Sequence, residues 1–124
     1  MAAVDSSTLI AYLLGKAGTG VEQFDAALAT GNIRIPPPVL VEVLCHPNLP
    51  RHHVDMVNAL PLLEILPGFW HRAAETRRKL LTLELRAFIG DTLIAQFCID
   101  HNEPLIANDT DFRHFAKHCG LKLA

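Results

Sequence analysis

The chain has 124 residues, half of them hydrophobic, and a formal net charge of −2. That length suffices for one domain with a single core, and the near-neutral balance excludes nucleic-acid binding through global charge; any such binding must come from a local patch. Charged residues make up 19%, below the usual share of about 25%, so apolar surface is expected to be left for a partner.

Ala2 to Asp5 reads as a short buried strand that ends in an acid. Ser6 and Ser7 are good helix starters, and Leu9 to Leu14 continue as helix. Gly15, Gly18 and Gly20 mark a loop. Val21 to Ala29 is a helix with Val21, Phe24, Ala27 and Leu28 on one face, ended by Gly31. Ile33-Arg34-Ile35 is a short strand. Pro36-Pro37-Pro38 opens a helix that carries Glu42 and stops near Pro47, since proline is tolerated at a first helical position. Arg51 to Leu60 reads as a short helix, Leu62 to Leu66 as a strand between Pro61 and Pro67, and Phe69 to Leu85 as a long helix. Thr92 to His101 is a helix beginning at Asp91. Leu105-Ile106-Ala107 is a strand, Thr110 to His118 a helix, and Leu121 to Leu123 a last edge strand. Strands alternate with helices almost throughout, which predicts an α/β domain with a mainly parallel central sheet over residues 1–124. Sites in such sheets lie beyond the carboxyl ends of the strands.

Four stretches place an acid among apolar residues: Val4-Asp5, Val39-Leu40-Val41-Glu42-Val43-Leu44, Gly90-Asp91-Thr92-Leu93-Ile94-Ala95 and Leu105-Ile106-Ala107-Asn108-Asp109-Thr110-Asp111-Phe112. A lone buried carboxylate costs several kcal/mol or more unless it is paired or bound to a cation. Asp5 reads equally as a cap for the helix after it. Asp91 taken alone is an N-cap. Asp109 competes with Thr110 and Asp111 for a capping role, and two acids within three residues exceed what a cap requires. Glu42 is harder to dismiss, because apolar residues flank it on both sides and its helix reads as buried nearly all round. Asp5 and Asp109 both follow strands, which puts them at one edge of the sheet.

This set of motifs, in its order, spacing and total length, resembles the PIN-domain family and, within it, the VapC-type toxins of bacterial toxin–antitoxin pairs. The resemblance covers essentially the whole chain through Val4-Asp5-Ser6-Ser7-Thr8-Leu9-Ile10, Pro38 to Leu44, Gly90 to Ala95 and Leu105 to Phe112. It implies a three-layer α/β/α fold in which Asp5, Glu42, Asp91 and Asp109 form the acidic site. Ser7 matches a hydroxyl that supports the first acid, and Asp111 would be auxiliary. The chain departs from the family at Ala107, where a hydroxyl is common; Asn108 or Thr110 is left to support Asp109.

Clustered carboxylates without histidine or cysteine ligands favour hard cations such as Mg²⁺ or Mn²⁺. The resemblance implies RNA cleavage, a small DNA-binding antitoxin of the VapB kind, and a homodimer. Arg72, Arg77, Arg78, Lys79 and Arg86 form the strongest basic stretch for holding RNA, with a solvated helix face as the competing explanation. Two other readings stand beside the toxin: a PIN nuclease with a housekeeping role in RNA or DNA processing, and a non-catalytic α/β interaction module.

Cys45, Cys98 and Cys119 are odd in number and lack a CxxC pair, which points to packing residues in a reducing compartment. His114 and His118 have zinc-ligand spacing but no evident third ligand. Phe69 and Trp70 are expected in the core. No signal peptide is visible, and no run approaches the ~18 apolar residues of a membrane span, so a soluble cytoplasmic protein is expected.

Overall fold

The computed structural model describes residues 1–124. Its elements in order are β1 (Ala2–Val4), α1 (Ser6–Leu13), α2 (Thr19–Ala29), β2 (Ile33–Arg34), α3 (Pro37–Leu44), α4 (Arg51–Asn58), α5 (Phe69–Thr82), α6 (Ile89–His101), β3 (Leu105–Ile106) and α7 (Arg113–Cys119), with a 3₁₀ turn at Thr110–Phe112 just before α7. The three strands form a parallel sheet in the order β2-β1-β3. The alternation of elements predicts this α/β domain with a parallel central sheet, and the family resemblance implies its α/β/α layering.

β1 is central because it is apolar throughout. Ala3 and Val4 are fully buried; Ala2–Ala3 pair with Ile33–Arg34 on one side and Ala3–Val4 with Leu105–Ile106 on the other. Helices supply the rest of the core: Phe24, Phe69, Phe97, Phe112 and Phe115 are all buried in one cluster with the strands. Tyr12 of α1 meets Phe24 of α2 edge to face at 4.9 Å, the geometry favoured by ring quadrupoles. α1 packs on α2 and α3, α3 also meets α6, and α6 lies along α5.

Several sequence expectations need correction. Leu62 to Leu66 is not a strand. Leu63 N–H donates to Ile35 at 3.0 Å and Ile35 N–H to Pro61 at 2.8 Å, forming one parallel bridge between Ile35 and Leu62, after which the Glu64 carbonyl turns to His101. Leu121 to Leu123 likewise reduces to a single bridge between Leu123 and Leu105. The long helix stops at Thr82 rather than Leu85, because Leu83 caps it and Glu84 takes a left-handed conformation with φ of 60°. The last helix begins at Arg113, since Thr110–Phe112 is wound as a 3₁₀ turn. Trp70 is 60% exposed rather than core, while Phe69 beside it is buried. Cys45 is an exposed cysteine rather than a packing residue.

Arg72 lies in a layer between two helices. Its guanidinium grips Asp100 through two bonds, Nε to Oδ1 at 3.0 Å and Nη2 to Oδ2 at 2.6 Å. Gln96 donates to the same carboxylate at 2.8 Å and accepts from Thr76. This network fixes α5 against α6. Burial alone would raise the Asp100 pKa, but the Arg72 and Gln96 donors outweigh it and hold the carboxyl below its ordinary value.

Candidate functional site

Asp5 follows β1 directly and is the N-cap of α1. Its carboxylate accepts the Thr8 N–H at 2.9 Å and the Ser7 hydroxyl at 2.8 Å. Cap and cleft residue are therefore one role, because the side chain that starts the helix also faces the sheet edge. Only 2% of Asp5 is exposed. Burial pushes its pKa up, the Thr8 and Ser7 donors oppose that, and nearby Asp109 adds to the rise.

Glu42 lies on α3, whose first two residues are Pro37 and Pro38. The expectation that this helix is buried all round is overturned. Val39 and Val43 are buried, but Val41 is 70% exposed and Glu42 itself is exposed. Glu42 thus needs no buried basic partner; it accepts from the Ser6 hydroxyl at 2.9 Å. Ser6 was legible in the sequence only as a helix starter, and its contact with Glu42 is long-range.

Asp91 is not an N-cap. α6 begins at Ile89 with Phe88 as its cap, so Asp91 sits inside the first turn. The helix starts early because the Phe88 carbonyl accepts both the Thr92 N–H at 2.9 Å and the Thr92 hydroxyl at 2.8 Å. Gly90 faces α3: a Cβ there would lie in ordinary van der Waals contact, 3.9 Å from both Glu42 carboxylate oxygens. Burial raises the Asp91 pKa to about 6, and the charges of Asp109, Asp111, Glu42 and Asp5 push in the same direction.

Asp109 caps the 3₁₀ turn, accepting the Asp111 N–H at 2.8 Å. The support expected from Asn108 or Thr110 in place of the missing hydroxyl at Ala107 comes instead from this backbone donor. Asn108 is turned toward α2, where it lies against Gly20 so closely that a Cβ at Gly20 would collide with it.

The structure brings Asp5, Glu42, Asp91 and Asp109 to one cleft of about 260 Å³, walled by Ser6 and Ser7 and by Ile10, Ile94 and Phe112. Asp111 is not part of the cleft lining but stands beside two acids that are: carboxylate oxygens of Asp91, Asp109 and Asp111 all lie within 4.8 Å of one another. An all-carboxylate donor set at this spacing, with one member holding its proton to about pH 6, carries more negative charge than the chain itself balances and fits a hard divalent cation.

None of the five basic candidates lines this cleft. Arg72 is bound to Asp100, Arg77 donates to the Ala87 carbonyl at 2.8 Å, and Lys79 donates to the His118 carbonyl at 2.5 Å. Arg78 is exposed on α5, and Arg86 lies over the Phe88 ring. Next to the cleft, across the shared Ile10, is an apolar groove of about 310 Å³ lined by Leu13, Leu14, Val43, Pro47 and Leu49 among others.

No curated protein sequence matches the chain. Among solved structures it is similar to VapBC2 from Rickettsia felis, a crystal structure bound to a DNA fragment from their promoter. The TM-score is 0.78 at 17% identity, over 98% of this chain and 96% of that one, a likeness of fold. A model of the PIN domain family matches residues 2–118. With that match over nearly its whole length, the chain belongs to the PIN domain family.

Proposed function

We propose that this protein is a metal-dependent endoribonuclease and the toxin of a VapBC-type toxin–antitoxin pair. The observation that carries the reading is the convergence of Asp5, Glu42, Asp91 and Asp109 on one cleft at the carboxyl edge of the sheet, with Asp111 beside them. Asp91, Asp109 and Asp111 would hold a Mg²⁺ or Mn²⁺ ion, with Asp5 and Glu42 completing the site. When bound, such ions supply the positive charge that draws a phosphate oxygen into an acidic cleft and polarises an attacking water.

The residues of the chain prepare that site. Ser7 and the Thr8 N–H fix the Asp5 carboxylate in one orientation, and Ser6 does the same for Glu42. Asp91 holds a proton up to about pH 6 and gives it up as a cation arrives. Ile10, Ile94 and Phe112 form apolar walls that limit water.

The antitoxin side of the reading is supported by the apolar groove that adjoins the cleft through Ile10. A partner segment lying there would reach the acids directly. The toxin reading also carries a homodimer and a cytoplasmic location; no helix of the chain is long and apolar enough to cross a membrane.

The deciding experiment is RNA cleavage by purified protein with Mg²⁺ or Mn²⁺, its loss with EDTA, and its loss in Asp5→Asn. Sequencing of RNA 5′ ends after brief induction then gives the target. Cleavage without growth arrest would favour the housekeeping nuclease, and undiminished cleavage by Asp5→Asn would sink the site.

A further inference from the structure

Arg86 and Phe88 stand in the loop that leads into the helical turn bearing Asp91. Phe88 occupies the cap position of α6, makes no side-chain cap, and is 52% exposed. Cap positions favour Ser, Thr, Asp or Asn, so the phenyl ring contributes nothing to starting the helix. Arg86 places its guanidinium carbon 5.4 Å from the centre of that ring, within the range of a cation–π contact. The ion pairs of the chain are Met1 with Glu103, Arg51 with Asp55, and Arg72 with Asp100, so no carboxylate neutralises Arg86.

The pair is held in place from behind. Ala87, between the two residues, is buried, and its carbonyl accepts from Arg77 Nε at 2.8 Å. The Phe88 carbonyl is fixed by its two bonds from Thr92. Arg86 and Phe88 are thus mounted on an anchored backbone, with little conformational freedom left for a ligand to remove. Asp91 follows Phe88 by three residues, in the first turn of the helix that Phe88 precedes as cap.

We propose that Phe88 and Arg86 form a nucleobase subsite beside the acidic cleft, where a base of single-stranded RNA stacks on the ring and the guanidinium holds its phosphate. The inference rests on the nuclease reading of the cleft and adds a group that holds a single strand for that cleft. Charge complementarity favours this occupant over an apolar one. The cleft acids repel phosphate, so a strand approaching them needs a cation outside the cleft lining, and Arg86, in the loop that leads to Asp91, has no carboxylate partner. An unstacked base offers a free face to an aromatic ring, whereas a base inside a duplex does not.

The test is the affinity of a fluorescein-labelled, single-stranded 2′-O-methyl RNA for the full chain with Mg²⁺, read by anisotropy, for wild type, Phe88→Leu, Phe88→Trp and Arg86→Gln. Phe88→Leu should weaken binding roughly tenfold and Phe88→Trp should retain it. Arg86→Gln should weaken binding and lower the slope of log affinity against log salt by about 0.7. In cleavage assays Phe88→Leu should raise KM more than it lowers kcat. Unchanged affinity in Phe88→Leu overturns the proposal, as does a loss that Trp does not restore. A shift of Phe88→Leu in sedimentation also overturns it, by assigning the ring to contact with a second copy. If wild type cuts RNA and Phe88→Leu binds and cuts equally well, the subsite falls and the nuclease reading stands. If wild type neither binds the strand nor cuts RNA, both fall.

Discussion

The Ser6 hydroxyl donates to Oε1 of Glu42 at 2.9 Å and ties the first turn of α1 to the exposed face of α3 at the rim of the acidic cleft. Glu42 has solvent on its other side, so the bond orients the carboxylate more than it stabilises the fold. Ser6→Ala should lower kcat for RNA cleavage by roughly tenfold or less and leave the melting temperature within about 0.5 kcal/mol equivalent of wild type. Ser6→Thr should restore the rate. Initial rates and thermal melts of the two variants check this.

Asp91 has a folded pKa of about 6 against an ordinary 3.8. The folded state therefore binds this proton more tightly than the unfolded state. The metal-free protein keeps full stability from this group below about 3.8 and loses it as the pH rises to about 6. Above that the deficit is constant, a few kcal/mol at most, and smaller because the group is partly open to solvent screening. Asp91→Asn should raise the melting temperature of the metal-free protein at pH 8, lose that advantage near pH 4, and abolish cleavage. A destabilised variant at pH 8 would contradict the electrostatic account.

A cation that occupies the site should relieve the same repulsion. Millimolar Mg²⁺ or Mn²⁺ should raise the melting temperature of wild type at pH 8 in proportion to the logarithm of its concentration, and EDTA should reverse the rise. The rise should be smaller in Asp91→Asn and smaller for wild type at pH 5, where the proton competes. Calorimetric metal titrations in two buffers would count the protons released.

Asp100 is nearly closed off, its side chain 5% exposed, and receives donors from both Arg72 and Gln96. Asp100→Ala should destabilise the protein by about 1–3 kcal/mol, because it strands the Gln96 amide inside. Its pKa is held low, so its contribution is present above the ordinary 3.8 and disappears as the pH falls further. Denaturant melts at pH 7 and pH 3 should show the difference between variant and wild type shrinking in acid. The kcat of the folded variant should stay near wild type.

Gly20 is a helical position kept bare by Asn108. On helix propensity alone, Gly20→Ala would add up to about 1 kcal/mol, but the new methyl meets the end of the exposed Asn108 side chain, which must turn away. The single variant should keep cleavage activity and gain little stability. With Asn108→Ala beside it, the same change should become stabilising, a non-additivity that melts of the four combinations would measure.

The acids of the cleft were legible because the cost of placing carboxylates among aliphatics is local and visible along the chain. Glu42 was misjudged as buried for the same local reason. Apolar flanks on both sides do not reveal that one face of α3, at Val41, is left uncovered. Asp91 taken alone suggests a cap because aspartate favours that position, whereas two donors from Thr92 to the Phe88 carbonyl start the helix earlier. Arg72 reads in sequence as one of a run of cations because its partner, Asp100, lies 28 residues away. Leu62 to Leu66 has strand composition, but only Leu62 finds an open neighbour. Short-range chemistry was readable; which surfaces end up facing each other was not.

β1 pairs on one side with residues 33–34 and on the other with residues 105–106. The second edge of β1 is therefore satisfied only by residues far along the chain, a high contact order that slows folding. Asp5 and Asp109 cannot meet until that late pairing forms. A growing chain thus carries its acids without a cleft until residues 105–106 have paired with β1.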